Sequence, residues 1–285
     1  MGASPCSRCG SCECPNYDKE AVSRAHIGSD TDLEVVAAVR RDRRLEKIYD
    51  DGIIYDGEWW GQQRHGHGTQ TWPDGARYVG QWEEDNVNGH GIFQHASGDA
   101  YEGQWIDGKA HGQGTYRHAT GSQYVGEWVD DKRHGHGLEV WPNGSRYRGQ
   151  YSYGKKEGKG VFEWLDGSVL TGSFHDNETH GEAEYTSADG KSYKGQWQKG
   201  LIHGQGSFTW PDGTAYHGEY VQDVKEGYGT FRYASGECYS GQWRGGKQHG
   251  EGMLISTEGV KTPGVWEMGE QREDLDTGGL HLEQC

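Results

Sequence analysis

Residues 101–114 read YEGQWIDGKAHGQG, and the pattern in this string recurs along most of the chain. Most units open on a tyrosine, a glycine follows two residues later, and an aromatic residue follows four residues later. Successive units are 23 residues apart, without one insertion. The ten opening positions are Tyr55, Tyr78, Tyr101, Tyr124, Tyr147, Leu170, Tyr193, Tyr216, Tyr239 and Thr262. An unbroken period of this kind indicates a repeat architecture.

Each unit has the pattern of one β-hairpin. In the unit that opens at Tyr101, the large residues Tyr101 and Trp105 flank Gly103, and this period of two is typical of a half-buried strand. Gly108 then supplies a turn residue that tolerates positive φ, a second alternating run follows, and another glycine turn closes the unit. Only the first unit departs at the first turn, where it has Gln62.

The hairpins are expected to stack. An isolated hairpin is barely stable, so successive hairpins should bury one another's aromatic face. The glycines on that face lack a Cβ and leave room for a ring of the neighbouring hairpin to lie across the backbone. The prediction is an all-β fold, an elongated single-layer array of about nine antiparallel β-hairpins, with a short N-terminal helix.

The composition of the 285-residue chain agrees with a thin sheet. Hydrophobic residues make up 32% and the mean hydropathy is -1.00, too little apolar material for a thick aliphatic core, whereas 12% aromatic residues argue against disorder. A formal charge of -16 disfavours nucleic-acid binding. No apolar run approaches the roughly 20 residues of a membrane span, and no secretory signal is recognisable, so we expect a cytoplasmic protein.

The string from Tyr101 to Gly114 closely resembles the MORN (membrane occupation and recognition nexus) repeat, and the resemblance extends from residue 53 to about residue 269. It implies a hairpin array with roles in cytoskeletal scaffolds, in ciliary, axonemal and radial-spoke complexes, or at membrane junctions. Some members carry lipid-kinase or methyltransferase domains, but the flanking segments of this chain are too short for either. We therefore expect a protein that is not an enzyme and needs no cofactor.

The aromatic face of the array is the predicted interaction surface. We expect a scaffold or adaptor for cytoskeletal or axonemal protein partners, located at the cytoskeleton or cilium, and homodimerisation through a terminal repeat. The alternative is a peripheral membrane adaptor on the cytoplasmic face, held by N-terminal acylation or by basic patches such as Lys155, Lys156 and Lys159. The residues expected to contact partners are Tyr55, Trp59, Tyr78, Trp82, Tyr101, Trp105, Tyr124, Trp128, Tyr193, Trp197, Tyr239 and Trp243.

Histidines and carboxylates predict no metal or catalytic centre. Histidines such as His65, His111 and His134 recur at one phase of the hairpin, roughly 10 Å apart, which is too far to share one zinc ion. Carboxylates such as Asp74 and Asp212 precede a turn glycine, and turn chemistry explains them. We interpret both sets as structural.

Repeat six, counted from the unit of Tyr55, departs from the pattern. It has Leu170, Phe174 and Ala183 where the pattern has Tyr, Trp and Gly. The departure predicts a local change of twist or a binding face at this repeat.

Repeats five and eight share a different departure. Tyr151 and Tyr220 replace Trp, and Glu157 and Glu226 replace the later His. Because a buried phenol needs a hydrogen-bond partner, our hypothesis is a cross-strand contact between the Tyr hydroxyl and the Glu carboxylate of each pair. Oxygen atoms well beyond hydrogen-bond distance in both repeats would contradict it.

The N-terminal tail, residues 1–28, contains four clustered cysteines, for which there are three interpretations. Gly2, Cys6 and Cys9 loosely resemble a dual acylation signal, although Cys6 stands where Ser or Thr is usual. Alternatively Cys6, Cys9, Cys12 and Cys14 could hold one zinc ion, with an unusual last spacing. The third interpretation is a disordered tail with free thiols. Mass spectrometry of the native N-terminus distinguishes the three.

Residues 29–50 are predicted to form a helix that caps the array. Ser29 or Thr31 can cap its N-terminus, and Glu34 follows. The helix would cover the first strand edge or present a basic face to an acidic partner. The array itself is assigned to residues 51–269, and residues 270–285 form an acidic tail. The basic face consists of Arg40, Arg41, Arg43 and Arg44.

Overall fold

The computed structural model describes residues 42–43 and 46–272, and this part of the chain is all-β. Its 22 strands form one open sheet in which neighbouring strands pair antiparallel. No helix occurs within these residues. The predicted array of antiparallel hairpins is confirmed.

The strands have two lengths that alternate along the array. A strand of seven residues opens each repeat: β3 (Ile54–Trp60), β5 (Arg77–Glu83), β7 (Ala100–Ile106), β9 (Gln123–Val129), β11 (Arg146–Ser152), β13 (Val169–His175), β15 (Ser192–Gln198), β17 (Ala215–Val221), β19 (Cys238–Arg244) and β21 (Lys261–Glu267). A strand of nine residues returns: β4 (Gln63–Thr71), β6 (Asn86–Gln94), β8 (Lys109–Arg117), β10 (Lys132–Val140), β12 (Lys155–Glu163), β14 (Glu178–Thr186), β16 (Leu201–Thr209), β18 (Val224–Arg232) and β20 (Lys247–Ile255). The short strands at the two ends are β1 (Asp42–Arg43), β2 (Lys47–Ile48) and β22 (Glu270–Gln271).

Two-residue turns join the strands of each hairpin. In repeat three, Asp107 and Gly108 have φ of 48° and 76°, and positive φ at both positions is what a type I′ turn requires. In the first repeat, Gly61 has a φ of 61° and Gln62 is not in the left-handed region. This agrees with a type II′ turn, which needs Gly only at its first central position, and it explains how the repeat accepts Gln62.

Each return strand from β4 to β20 contains a bulge, and in eight of these nine repeats a side chain of the opening strand closes it. In repeat two, three residues around Gly89 (φ 77°) stand opposite Gln81 alone. Gln81 Oε1 accepts the backbone N–H of His90 at 2.6 Å. An equivalent Gln or Glu does the same in seven further repeats. In repeat six this residue is Ser173, and among the described residues its side chain accepts no hydrogen bond from the bulge backbone.

The tyrosines lie across the glycines of their own hairpins. A Cβ on Gly114 would lie 2.5 Å from Tyr101 Cζ, so only glycine leaves room for the ring. The Tyr101 hydroxyl donates a hydrogen bond to the Gln104 carbonyl at 3.0 Å. The expectation that a ring fills the glycine gap is correct, but the ring belongs to the same hairpin and not to the neighbour.

Tryptophans connect one hairpin to the next. The Tyr101 ring meets Trp105 of its own hairpin edge to face at 4.9 Å and Trp128 of the next hairpin at 5.2 Å. The Trp128 Nε1–H donates to the Gly114 carbonyl at 3.2 Å. Because most repeats have the same contacts, the core is a continuous stack of rings along one face of the sheet.

The stack is interrupted at repeat six. Leu170 takes the place of a tyrosine there, and Ala183 takes the place of the glycine beneath it. The buried residues accordingly form two clusters, one from Tyr55 to Ala183 and one from Tyr193 to Trp266. Two half-buried side chains, Tyr185 and Trp197, pack against both clusters.

The predicted helix over residues 29–50 is wrong for its described part. Asp42–Arg43 and Lys47–Ile48 are strands, and both pair with β3. The physical reason is that the first strand of an open ladder presents unpaired N–H and C=O groups, which another strand can satisfy directly. The predicted helix start, the acylation or zinc residues Gly2, Cys6, Cys9, Cys12 and Cys14, and residues 273–285 lie outside the described residues.

Candidate interaction surface

The twelve aromatics predicted to contact partners form the core of the ladder. Eleven of them are buried, with Tyr55 and Tyr239 fully enclosed and Trp105 the most open at 9%. Trp197 is half-buried. The prediction that these residues contact partners directly is therefore corrected, because a ring stacked between two neighbouring hairpins has little surface left for a partner.

A second set of aromatic side chains lies on the same face and remains accessible. These residues come from the ends of the return strands and the turns after them, and we call them the outer aromatic row. Nearly all are half-buried, and Trp164 is 38% exposed. The row consists of Trp72, Phe93, Tyr116, Trp141, Phe162, Trp164, Tyr185, Phe208, Trp210, Phe231 and Tyr233.

Ring contacts link the members of the outer aromatic row within and between repeats. Phe208 and Trp210 are 4.4 Å apart, and Trp210 lies 5.9 Å from Phe231 of the next repeat. Phe162 and Trp164 are 4.6 Å apart. The alternating run that contains Phe208 and Trp210 identifies a return strand from sequence, but burial was needed to show that its rings stay accessible.

Cationic side chains are inserted between the two aromatic sets. Arg64 Cζ lies 4.4 Å from the Trp82 ring centroid, and Arg133 Cζ lies 5.3 Å from that of Tyr151. Lys156 and Lys225 occupy the same repeat position as these arginines. Their ammonium groups gain cation–π attraction from the rings around them.

One half-buried carboxylate joins repeats four and five. Glu139 accepts hydrogen bonds from Arg133 at 2.6 Å and from the Tyr151 hydroxyl at 3.0 Å, and Lys156 Nζ is 3.7 Å away. Burial raises the pKa of Tyr151, and Glu139 raises it further. Burial lowers the pKa of Lys156 although Glu139 opposes this shift. An open cavity of about 510 Å³, which Tyr116 helps to line, lies beside this cluster.

The hypothesis of Tyr–Glu pairs in repeats five and eight is wrong. Tyr151 donates to Glu139 instead, and the Tyr220 hydroxyl has no hydrogen-bond partner among the described residues. Glu157 accepts the backbone N–H of Asp176, and Glu226 accepts that of Gly245. The physical reason is the direction of the Glu side chains, because this position of the return strand faces the turn of the following hairpin.

Histidines at that same position contact the next hairpin. His134 Nδ1 lies 3.5 Å from the Tyr153 backbone nitrogen, and His249 Nδ1 lies 3.5 Å from that of Met268. Each contact reaches the first turn residue of the next hairpin. Within the described residues, no three His, Cys, Asp or Glu side chains are grouped so that they could hold a metal ion.

The lysines proposed as a basic patch do not share a surface. Lys155 forms an ion pair with Asp176. Lys156 lies among aromatic rings on the core face, 4.7 Å from the Trp141 ring centroid. Lys159 is on the opposite face, where its Nζ donates to Ser173 Oγ at 2.7 Å. The three charges therefore do not add up to one site for an anionic surface.

An open ladder of β-hairpins with a stacked aromatic core defines a repeat protein. The model of one family, "MORN repeat", matches the chain nine times, and the chain belongs to this family. The repeat itself is non-enzymatic, and it indicates protein interaction or membrane binding. The matched residues are 55–77, 78–100, 101–123, 124–146, 147–169, 171–192, 193–215, 216–238 and 239–261. The described residues contain no helix long and apolar enough to cross a bilayer.

Solved structures with a distant likeness include domains of the protein CPAP. The wild-type TCP10 domain of Danio rerio CPAP shares 11% identity at a TM-score of 0.40, over 76% of this chain and 96% of that one. The TCP domain of Drosophila melanogaster SAS-4 (dCPAP), solved with a proline-rich motif of Ana2, shares 15% at a TM-score of 0.36, over 65% and 93%. No curated protein matches this chain.

Proposed function

We propose that the protein is a non-enzymatic scaffold that binds protein partners along the outer aromatic row, within a cytoskeletal or ciliary assembly such as an axonemal or radial-spoke complex. The observation that carries the proposal is the accessibility of this row on the face whose inner rings are fully used by the core. Aromatic side chains that are half-buried and held in place lose little conformational entropy when a partner covers them.

The spacing of the row favours an extended or repetitive partner. Equivalent rings in successive repeats are separated by two strands, which places them about 10 Å apart. A partner segment that follows the ladder would meet a ring pair at each step, as from Phe208 and Trp210 to Phe231. The resemblance to cytoskeletal members of the family supports an assembly in which such a partner is a filament or axonemal component.

Proximity labelling with the full chain tests this function. We expect the unmodified chain to label cytoskeletal or ciliary proteins, and Trp72→Ala combined with Trp164→Ala to weaken binding to the labelled partners roughly tenfold or more. Ile92→Ala combined with Val125→Ala is the matched control, because these exposed apolar residues lie on the opposite face. Equal loss in both variants, or none in the first, would reject the outer aromatic row.

The full chain can also be used to test the alternative of a peripheral membrane adaptor. Flotation with vesicles that contain phosphatidylserine separates a peripheral membrane adaptor from a protein scaffold. A scaffold should not float at low salt, because the proposed patch of Lys155, Lys156 and Lys159 is divided between two faces. Salt-sensitive flotation of the full chain would favour the adaptor.

A further inference from the structure

Lys225 is enclosed by aromatic rings and forms no ion pair within the described part of the chain. Its Nζ lies 5.1 Å from the ring centroid of Trp210, 4.8 Å from those of Tyr216 and Phe231, and 5.0 Å from that of Trp243. We call these four rings the Lys225 cage. No carboxylate within the described residues forms an ion pair with Lys225, whereas Arg64, Arg133 and Lys156, the other cations at this repeat position, each have one.

Repeats four and five contain the same arrangement with a carboxylate included. Lys156 is the counterpart of Lys225, and it lies over Trp141, Tyr147 and Phe162, which correspond to three rings of the Lys225 cage. The carboxylate of Glu139 is within 3.7 Å of Lys156 Nζ. Here the chain itself provides the anion that balances a cation in an aromatic setting.

Tyr220 provides a second comparison between the Lys225 cage and its counterpart in repeats four and five. Its counterpart Tyr151 donates a hydrogen bond to Glu139 at 3.0 Å. Tyr220 is 4% exposed, yet its hydroxyl has no hydrogen-bond partner among the described residues. An unpaired buried hydroxyl is costly and uncommon. Phe208 stands at the sequence position of Glu139, and Ile202 stands at that of Arg133. Repeats seven and eight therefore keep the Tyr and Lys donors and lack the carboxylate and the arginine.

We propose that Lys225 and Tyr220 bind the carboxylate of an Asp or Glu side chain from a partner protein, which takes the part that Glu139 plays in repeats four and five. An acidic side chain can pair with one desolvated ammonium group and still accept a hydrogen bond from a phenol. Trp210, half-buried beside Lys225, would pack against an apolar residue next to the acidic one. The partner is thus a segment in which an acidic residue adjoins an apolar one.

The charge balance of the site favours a single carboxylate over a membrane surface. Lys225 is one cation set among rings, and the chain as a whole carries a formal charge of -16. An anionic bilayer would need several cations on one exposed surface. The inference rests on the proposed function, because it assigns one contact along the outer aromatic row and the chemistry that this contact selects.

Two arrays of short synthetic peptides test the proposal with the full chain. In the first array, Asp or Glu is fixed next to an aromatic or aliphatic residue and the other positions vary. In the second, Asn or Gln replaces the acidic residue. We expect binding to members of the first array, and a loss of roughly tenfold or more when the carboxylate is replaced.

Variants with substitutes that this chain already uses at equivalent positions identify the donors. Lys225→Gln copies Gln248 of repeat nine and should abolish the preference for the acidic array. Tyr220→Phe copies the Phe174 position of repeat six and should weaken binding less. Phe208→Glu copies Glu139 and should block binding by supplying an internal carboxylate.

The charge control is Lys194→Gln, since the Lys194 side chain is 77% exposed on the opposite face. This variant should bind as the unmodified chain does. Equal binding to both arrays, unchanged binding by Lys225→Gln, or no binding to either array would overturn the carboxylate site. None of these results would remove the proposed function, which is decided by the labelling of partners and its loss in the tryptophan variants.

Discussion

Gly206→Ala adds one methyl group beneath the most enclosed ring of repeat seven. The new Cβ would lie 2.5 Å from Cε2 and Cζ of Tyr193, distances that real Cβ contacts do not show. The ring cannot move aside without cost. It is fully buried, meets Trp197 at 5.5 Å and Tyr220 at 5.6 Å, and holds a hydrogen bond to the Gln196 carbonyl at 3.0 Å.

The expected loss of stability combines two effects at this contact. Overpacking of a filled core costs about 1–3 kcal/mol. Displacement of the Tyr193 ring also breaks its buried hydrogen bond, which adds about 1 kcal/mol. We therefore expect Gly206→Ala to lower the free energy of unfolding by about 2–4 kcal/mol.

Chemical denaturation followed by tryptophan fluorescence measures this change in the free energy of unfolding. Hydrogen exchange at repeat seven adds a local measurement. Gly213→Ala is the matched control, since no atom lies within 4 Å of its new Cβ and only the φ of 86° is strained. That strain costs about 1–2 kcal/mol. Repeat six suggests the compensating change, because Ala183 is accompanied there by Leu170. Tyr193→Leu should therefore recover part of the loss caused by Gly206→Ala.

Two results would refute the explanation of the glycine–tyrosine pairing. The first is a loss of stability in Gly206→Ala no larger than that in Gly213→Ala. The second is strict additivity of Gly206→Ala and Tyr193→Leu, since residues that compete for one space must show a coupling energy.

Other contacts yield further predictions. Gln196→Ala removes the acceptor of the Gln205 N–H, a bond of 3.0 Å, and should lower stability by about 0.5–1.5 kcal/mol and speed hydrogen exchange at Gln205; unchanged exchange would contradict the bulge closure. The hydrogen bond between His175 and Glu157 raises the pKa of the imidazole and lowers that of the carboxyl. The His175 contribution to stability is present below its usual pKa of 6.5 and is lost as pH rises through the raised value, while that of Glu157 is lost as pH falls through its lowered value. The difference in Tm between the unmodified chain and His175→Gln should therefore be largest near about pH 5.5 and smallest above about pH 8, and a difference independent of pH would exclude this pair.

The hairpin, its turns and the glycine-rich face follow from the period of the sequence. A fixed spacing combined with alternation leaves little choice for the backbone, as Tyr101, Gly103 and Trp105 illustrate. The bulge closure had a visible signal as well, the Gln or Glu between the glycine and the aromatic residue in nearly every repeat. Its function required coordinates, because Gln104 and Gln113 come together only through the extra residues of the bulge.

The contacts between repeats were not predictable from the pattern. Glu157 is placed in the same hairpin as Tyr151 by sequence, yet it faces the next hairpin's turn at Asp176. Likewise the period identifies inward aromatics but does not tell which of them remain accessible, since a single sheet buries Tyr193 and leaves Phe208 half-buried on one face. Such differences arise from the depth of each position within the stack.

The gap at Leu170 divides the ladder into two blocks for cooperative melting. In a one-dimensional array each repeat is held by its neighbours, so the weakest interface limits how far order propagates. Leu170 and Ala183 remove a ring and a glycine gap at one such interface, and Ser173 lacks the side chain that closes the bulge. Loss of structure that begins in one half would therefore halt at repeat six, and the other half would remain folded.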